Sequence, residues 1–241
     1  MAIILSPKQR KAKKVHDLYQ NVCRDHDAMK DISSFGLVRV WRKNVEKEIS
    51  ANRFGHILDV CCGTGTMTLA LAQNNLAAEV VGVDFSHNMI TIANHHAVEK
   101  ALGNVEFFCE DANELHFPDG YFDCVVVSFG LSGIPDYDKF LREMNRVLIP
   151  GGSIFILDYA NPEDDRLKVL LSAGRSVMMP AAGLLLAGKG KDFLKVSLME
   201  GDVPSSKKVC TMLQKNGFEH IGARPITGGM AACYRAQKIY G

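Results

Sequence analysis

From His56 onward, the chain alternates short apolar runs with segments of helical periodicity, and this alternation limits the fold more than any other feature. Apolar runs bounded by turn residues predict strands, whereas apolar positions three and four apart predict helices. Strands that alternate with helices build a mainly parallel sheet with helices on both faces, because each crossover must pack back onto the sheet. The predicted strands are Ile57–Cys61, Glu79–Asp84, Val105–Cys109, Cys124–Phe129 and Ser153–Tyr159, and the predicted helices are Thr66–Asn74, His87–Leu102 and Tyr137–Leu148.

The C-terminal part of the chain completes this pattern. Ser205–Asn216 predicts a helix, and Phe218–Arg224 with Met230–Gln237 predicts an antiparallel hairpin, so the strands total seven. We therefore expect an α/β, Rossmann-like fold with a seven-stranded, mostly parallel sheet, an antiparallel C-terminal hairpin and helices on both faces.

The division of the chain follows the changes of pattern along it. We expect residues 1–50 to form a helical N-terminal cap and residues 51–160 to form the ligand-binding Rossmann-like core. Residues 161–204 interrupt the alternation and are predicted to be an apolar helical insertion or substrate lid. Residues 205–241 then supply the helix and hairpin that complete the core sheet.

The composition excludes several classes of protein. Of the 241 residues, 47% are hydrophobic and 23% are charged, as is usual for a soluble globular protein. The net charge of +1 gives no general attraction for nucleic acid, so no nucleic-acid partner is expected. The basic run Lys8–Lys14 predicts a solvated helical turn, with weak contact to anionic lipid as the alternative.

The cysteines and the apolar runs bear on the compartment. Seven cysteines without any C-x-x-C pair argue against a disulfide framework and a zinc site, so no metal is expected. The first apolar stretch is too short for a signal-peptide core, and the run Val177–Ala187 is too short to span a bilayer. We expect a cytoplasmic protein, with peripheral membrane contact as an open alternative.

The stretch HILDVCCGTGTMTLAL, His56–Leu71, places two glycines between a predicted strand and a predicted helix. Glycine lets the backbone approach a ligand closely, and the following helix N-terminus presents free N–H groups. A dinucleotide site usually has a third glycine, as G-x-G-x-x-G, but Thr68 occupies that position. With Gly63 and Gly65, Asp59 instead gives D-x-x-x-G-x-G, which resembles the first motif of class I S-adenosylmethionine (SAM) methyltransferases.

This resemblance implies a set of residues that bind SAM. Asp59 would anchor the cofactor's ammonium, and Asp84 would accept the ribose hydroxyls from the end of the second strand. EDANEL resembles the adenine-edge motif, FPDGYFDCVVVSFG the fourth-strand signature, and Pro150–Gly152 the turn before the fifth strand. Cys61 and Cys62 are interpreted as small packing residues. The cofactor-binding residues expected are Asp59, Gly63, Thr64, Gly65, Asp84, Phe85, Asp111, Ala112 and Ser128.

Over nearly its full length, the chain is similar to the ubiquinone/menaquinone-biosynthesis C-methyltransferase family. The first segment that carries this similarity is HDAMKDISSFGLVRVWRK (His26–Lys43), which resembles the family's Y-D-x-M-N…S-x-G-x-H-R-x-W. The segment after the fourth strand, SFGLSGIPD, resembles S-F-G-L-R-N-V-x-D. Two further segments follow it in the chain: MMPAAGLLLAG, which resembles P-x-x-G, and ITGGMAACYRAQK, which resembles L-T-G-G-x-x-A-x-H-x-G-x-K. The resemblance implies a class I methyltransferase fold, SAM as cofactor and C-methylation of a quinol-type aromatic acceptor. It implies a lipophilic small-molecule partner and leaves a homodimer open.

The departures from the family pattern concern the acceptor side. His26 stands at the family's tyrosine, Lys30 at its asparagine and Val38 at its histidine. The family's Arg-Asn pair after SFGL, which lies at the substrate and helps to bind or deprotonate the hydroquinone, is Ser132-Gly133 here. The cofactor motifs are retained, so the sequence indicates the cofactor more directly than the acceptor.

The reaction that the resemblance implies begins with the loss of a phenolic proton from a dihydroxy aromatic. Phenols titrate near a pKa of about 10, and a neutral histidine, with a pKa of about 6.5, can serve as the base. His26 is the leading candidate, and a surface histidine is the alternative interpretation. Tyr19 and Asp27 are further catalytic candidates on the same segment, although Asp27 can also cap a helix.

Other functions remain open at this point. Loss of the Arg-Asn pair is also consistent with a SAM-dependent methyltransferase that acts on another small molecule, at carbon, oxygen, nitrogen or arsenic. A non-catalytic SAM-binding partner in a biosynthetic complex would need only the cofactor site. An NAD-dependent dehydrogenase is disfavoured by the missing third glycine. The apolar insertion, Met178–Leu186, is interpreted either as core or as a wall for an isoprenoid tail.

Overall fold

The computed structural model describes residues 26–160 and 203–240, together with positions 181 and 184. Tyr19, the basic run Lys8–Lys14 and nearly all of the apolar run Val177–Ala187 lie outside the described residues. Within that run, Leu184 is helical and its side chain is 70% exposed. Leu184 therefore does not belong to the hydrophobic core.

Seven strands form one mixed sheet. They are β1 (His56–Val60), β2 (Glu79–Asp84), β3 (Val105–Cys109), β4 (Phe122–Ser128), β5 (Leu148–Tyr159), β6 (Phe218–Ile226) and β7 (Ala231–Lys238). Their order is β3-β2-β1-β4-β5-β7-β6, and β1 to β5 pair in parallel whereas β7 is antiparallel to both β5 and β6. The prediction of a seven-stranded, mostly parallel sheet with an antiparallel C-terminal pair is confirmed.

Six α-helices occur in the part of the chain that the structure describes. They are α1 (His26–Ser33), α2 (Leu37–Ser50), α3 (Thr66–Asn74), α4 (His87–Glu99), α5 (Tyr137–Val147) and α6 (Ser206–Lys215). Side-chain oxygens of Ser86, Asp136 and Ser205 cap α4, α5 and α6, since each accepts a backbone N–H three residues later. No helix among residues 26–160 and 203–240 is long and apolar enough to cross a bilayer.

The side chains of β4 pack into hydrophobic clusters on both faces of the sheet. Val125 and Val127 pack into one cluster with the core faces of α5 and α6, whereas Cys124 and Val126 pack into a second cluster that includes Trp41. Successive side chains of a strand point to opposite faces, so an apolar run is required where both faces are covered. The central strand is therefore buried at every residue except Asp123, which is partly exposed.

The order of the strands determines where a ligand can bind. β1 leads to β2 and β3 on one side, while β4 and β5 lie on its other side, so the strand order reverses between β1 and β4. Ligands of open α/β sheets bind beyond the carboxyl ends of the strands at such a switch point. Val60, Asp84 and Ser128, which end β1, β2 and β4, lie at this edge.

The predicted turn at Pro150–Gly152 is wrong, because the structure has this segment inside β5. Leu148 already pairs with Phe122, and the register shifts before the pair of Cys124 with Ser153. Extra residues on one strand of a pair form a bulge, which bends the strand without ending it. β5 consequently begins before the Pro-Gly-Gly segment.

The predicted helix His87–Leu102 ends earlier than expected, at Glu99. Ala101 has a φ of 52°, in the left-handed region that commonly closes a helix. The N–H of Leu102 turns back to the carbonyl of Ala97. The apolar spacing continues past the true end because Leu102 still packs against the core.

Candidate active site

The glycine turn between β1 and α3 has three residues in the left-handed region, since Cys61, Gly63 and Gly65 have φ of 59°, 56° and 80°. At Gly65, an added Cβ would lie 2.9 Å from the ring of Phe107 and 3.1 Å from the Cβ of Ala93. Only glycine therefore fits there. The turn is pressed against the helix and strand beneath it, and its other side forms the wall of a cavity.

Asp59 is a buried carboxylate in this wall, and its side chain is only partly satisfied. Its Oδ2 accepts a hydrogen bond of 2.6 Å from Thr68 Oγ1, whereas its Oδ1 is buried and has no hydrogen-bond partner among the described residues. Burial raises the pKa of Asp59 to about 7. A buried carboxylate oxygen without a partner is costly, and an ammonium group would satisfy it. The residue thus fits the amino end of SAM.

Asp84 connects the glycine turn to the end of β2. Its Oδ2 accepts from the backbone N–H of Gly63 and its Oδ1 from that of Ser86, both over 2.9 Å. Burial raises the pKa of this carboxyl, and the two hydrogen bonds oppose the rise. Each carboxylate oxygen can accept a second hydrogen bond, so Asp84 retains capacity for ribose hydroxyls while it fixes the turn.

A small cavity lies beyond the ends of β1 and β4. Among the predicted site residues, Asp27, Asp59, Gly63, Thr64 and Ser128 line it. The residues that complete its wall are Lys30, Arg42, Cys61, Cys62 and Met67. The fold therefore brings together the predicted ammonium anchor, the glycine turn and the end of β4.

Asp84 does not line this cavity, and neither do the remaining predicted cofactor residues. Gly65 is buried beneath the turn, and Phe85 follows Asp84 at the end of β2. Asp111 is exposed after β3, where its Oδ1 accepts from the backbone and side-chain nitrogens of Asn113, and Ala112 is half-buried beside it. Their role towards the ribose and adenine stays a prediction.

Asp27, a predicted catalytic residue, joins α1 to the glycine turn. Its carboxylate accepts hydrogen bonds from Thr64 Oγ1 over 2.5 Å and Thr66 Oγ1 over 3.4 Å. Arg42 lies 3.8 Å from the same carboxylate. These contacts show a residue that closes the N-terminal helix over the cavity, and its catalytic role stays a prediction. His26 is the first residue of α1, but its side chain lies outside the described part, as does Tyr19.

Arg42 is a cavity residue that the motif pattern did not identify. It extends from α2, its side chain is 14% exposed, and its Nε donates to Ser128 Oγ over 3.4 Å. The guanidinium also lies 5.6 Å from the ring of Phe129. The available signal was its spacing, because Arg42 lies four residues after Val38 and three before Val45 on the buried side of α2.

Lys30 is the second cation that the motif pattern did not place in the site. It is 4% exposed, although a lysine is almost never buried without a partner. Its Nζ donates to the carbonyl of Phe129 over 3.4 Å and lies 5.4 Å from that ring. The available signal was its neighbour Met29, which is fully buried, so this part of α1 faces inward.

The segment that leaves β4 contains Ser132-Gly133, which stand at the family's Arg-Asn pair. Phe129 has a φ of 59°, and a turn of 3₁₀ helix over Leu131–Gly133 follows. Asp158, at the end of β5, holds this exit by accepting the N–H of Leu131 over 2.8 Å. Burial raises the pKa of Asp158 to about 6. The turn contains Ser132 in place of a cation, so positive charge near this exit must come from other elements.

Cys61 and Cys62 are half-buried beside the two aspartates of the site. Burial raises the pKa of both thiols well above the usual range, and the charges of Asp84 and Asp59 add to this effect. An added Cβ at Gly130 would lie 2.8 Å from the Cβ of Cys61, so these two segments approach as closely as their atoms allow. Both cysteines therefore serve as neutral packing residues.

Comparison with known proteins matches the sequence to a family model and to named relatives. Residues 7–238 match the model of the ubiE/COQ5 methyltransferase family. Over 225 residues, the chain is 35% identical to a demethylmenaquinone methyltransferase of Staphylococcus aureus strain JH9, an alignment that covers 93% of this chain and 92% of the relative.

Solved structures agree on the fold. A SAM-dependent methyltransferase from Aquifex aeolicus superposes with a TM-score of 0.61 at 20% identity, covering 98% of this chain and 100% of that one. The [4+2]-cyclase SpnF superposes with a TM-score of 0.59 at 20% identity, covering 95% and 97%. At these identities the likeness concerns the fold alone, and it confirms the predicted class I methyltransferase architecture.

Proposed function

Since this chain belongs to the ubiE/COQ5 methyltransferase family and is a methyltransferase that uses SAM, we propose that it methylates a ring carbon of a lipophilic quinol of the demethylmenaquinol type. The observation that carries the cofactor assignment is Asp59, whose buried Oδ1 has no partner among the described residues. The acceptor is supported by the relative's name, at 35% identity over almost the whole chain.

Three charged residues divide the polar parts of the cofactor among them. We assign the ammonium to Asp59 and the ribose hydroxyls to Asp84, as the sequence predicts. We assign the carboxylate to Arg42, because its guanidinium lines the same cavity as Asp59 and presents the planar donors that suit a carboxylate. Asp27 and Ser128 contact Arg42 and orient it.

The acceptor side is formed by the aromatic residues at the exit of β4. The ring of Phe129 lies 4.9 Å from that of Tyr159 and 6.2 Å from that of Trp41. All three side chains are buried, so this aromatic cluster would form the floor beneath the acceptor ring. The quinol ring would enter between this surface and the turn that follows β4, next to the cation Lys30.

Methyl transfer requires an ionised acceptor and an exact placement of its reacting ring carbon. When bound, SAM supplies a methyl group activated by its sulfonium. The protein holds the acceptor ring carbon against that group, excludes water through α1, and stabilises the acceptor after its phenolic O–H has lost a proton to a base or to water. After transfer, the methylated carbon loses its ring proton and the phenol is restored, so each turnover releases one proton in total.

The experiment that tests the proposal measures transfer of labelled methyl groups. The purified protein is incubated anaerobically with methyl-labelled SAM and a short-chain demethylmenaquinone, either reduced or oxidised, and the lipid extract is separated by chromatography. We expect label in the methylated product with the reduced acceptor only, because the oxidised form has no phenolic proton to lose.

Two variants provide the controls. Asp59→Asn should lower transfer at limiting SAM by more than tenfold because it weakens cofactor binding, whereas Glu106→Gln, at an exposed carboxylate on β3, should leave transfer unchanged. Tight SAM binding by calorimetry without any label in the quinol would overturn the proposed acceptor. That outcome would favour either another small-molecule acceptor or a non-catalytic SAM-binding role.

A further inference from the structure

Lys30 occupies a position that the cofactor assignment does not explain. It lines the same cavity as Asp59 and Arg42, but its Nζ contacts the carbonyl of Phe129, the first residue after β4. Arg42 contacts Ser128, the last residue of β4, and Asp27 on α1. Both cations lie beside the ring of Phe129, at 5.4 and 5.6 Å, but of the two it is Lys30 that donates a hydrogen bond to the Phe129 carbonyl, at the exit where the acceptor is proposed to enter.

We propose that Lys30 binds the phenolate oxygen of the acceptor and thereby holds the acceptor in its ionised form. This inference rests on the proposed function for the nature of the acceptor. Ionisation breaks the phenolic O–H bond, sends the proton to water and leaves the electron pair on the oxygen, against the lysine ammonium. A positive charge within about 4–6 Å lowers the pKa of such an acid by roughly 1–3 units.

The groups around Lys30 place it among carboxylates from several elements. Asp84 ends β2 and Asp158 lies at the end of β5, and the ammonium of Lys30 opposes the rise that burial causes in the pKa of both. The thiol of Cys61 lies within reach of the same charge. Asp27, Asp59 and Arg42 complete the charged groups of the cavity wall.

Asp84 and Asp158 also have structural roles of their own. Asp84 holds the glycine turn through Gly63 and Ser86, and Asp158 holds the exit of β4 through the N–H groups of Leu131 and Tyr159. A cation in this place therefore stabilises both the packed carboxylates and an anion that enters beside them.

The test uses 4-nitro-1-naphthol, a bicyclic phenol whose anion is coloured. The full-length protein without SAM is mixed with the probe, and the absorbance of the anion is recorded as the pH is varied. We expect the bound probe to ionise at a pH at least one unit lower than the free probe, and a demethylated quinol analogue to displace it. No lowering in the unmodified protein would overturn the proposal without any variant.

Variants then identify the responsible cation. Lys30→Met should return the ionisation of the probe to that of the free probe, and Lys30→Arg should retain the lowered value. Lys47→Met, an exposed lysine on α2, is the matched control and should behave as the unmodified protein. Lys30→Gln serves as a second neutral variant if Lys30→Met does not fold, as judged by circular dichroism.

Measurements of methyl transfer test this inference separately from the proposed function. In Lys30→Met, kcat should fall more than tenfold at pH 7 and recover towards higher pH, while the Kd of SAM stays within threefold. The role of Lys30 would be overturned, and the proposed function left intact, if both neutral variants methylate the quinol with an unchanged pH profile and ionise the probe as the unmodified protein does. Probe ionisation that depends on Lys30, without any quinol methylation, would overturn the function alone.

Discussion

The indole Nε1 of Trp41 donates a hydrogen bond to Thr227 Oγ1 over 2.9 Å, and it joins α2 to the turn that precedes β7. The same indole packs against Phe129 at 6.2 Å and Tyr159 at 6.3 Å between ring centroids. The C-terminal turn therefore supports the aromatic surface on which we place the acceptor, although it lies far from the cavity in sequence.

Thr227→Val should destabilise the protein by about 1–2 kcal/mol, because a buried indole N–H loses its acceptor. In a domain of this size, the melting temperature should fall by roughly 2–4 °C per kcal/mol. Trp41 is the single tryptophan of the chain, so its emission maximum should shift in this variant. Thr211→Val, at an exposed threonine of α6, is the matched control, and equal losses in both variants would contradict a special role for Thr227.

The affinity for SAM should rise with pH between about 6 and 7.5. Burial raises the pKa of Asp59 to about 7, so this carboxyl becomes charged in that interval and can then pair with the cofactor's ammonium. Asp59→Asn should weaken binding at pH 7.5 by more than tenfold, or about 1.4 kcal/mol, and should remove the pH dependence. Calorimetric titrations at several pH values measure both effects. An equal slope in the variant would assign the dependence to another group.

Asp84→Asn should lower both the affinity for SAM and the stability of the protein without SAM. An amide cannot accept from both Gly63 and Ser86, since its NH₂ would face one of these buried N–H groups, at a cost of about 1–3 kcal/mol. Differential scanning calorimetry and binding titrations measure the two losses. Glu106→Gln should change neither. A variant that melts normally but binds poorly would show that Asp84 acts on the cofactor alone.

Cys61 and Cys62 should resist alkylation in the folded protein. The thiolate is the reactive form, and burial beside Asp84 and Asp59 raises the pKa of both thiols far above the pH of the experiment. With iodoacetamide at pH 8, the exposed Cys109 should react at least tenfold faster, as peptide mass spectrometry would show. Rapid labelling of Cys61 or Cys62 in the folded state would contradict their role as packing residues.

The sequence predicts the central elements almost to the residue. The bounds of β2, β3 and α3 agree with the predicted Glu79–Asp84, Val105–Cys109 and Thr66–Asn74, because each apolar run there is closed by turn residues or by a cap. The misplaced start of β5 has a physical cause, since the bulge at Pro150–Gly152 depends on pairing with β4 and local composition favours a turn.

The candidate site likewise has one part that the sequence predicts and another that it does not. Asp59, Gly63 and Thr64 belong to one local motif, so their spacing alone brings them together. Lys30 and Arg42 reach the cavity only because α1 and α2 pack over the sheet, 99 and 86 residues away from their partners Phe129 and Ser128. A motif pattern carries no information about contacts at such a separation, which is why these cations were found only in the structure.

The position of β7 between β5 and β6 has a consequence for biosynthesis. β7 is the last of the seven strands to be synthesised, yet it pairs with both neighbours through Ala231–Lys238. While the ribosome is still translating this region, β5 presents an open edge of unpaired N–H and C=O groups, and such edges recruit other strands. The nascent chain is therefore most exposed to aggregation and to chaperone capture just before β7 emerges.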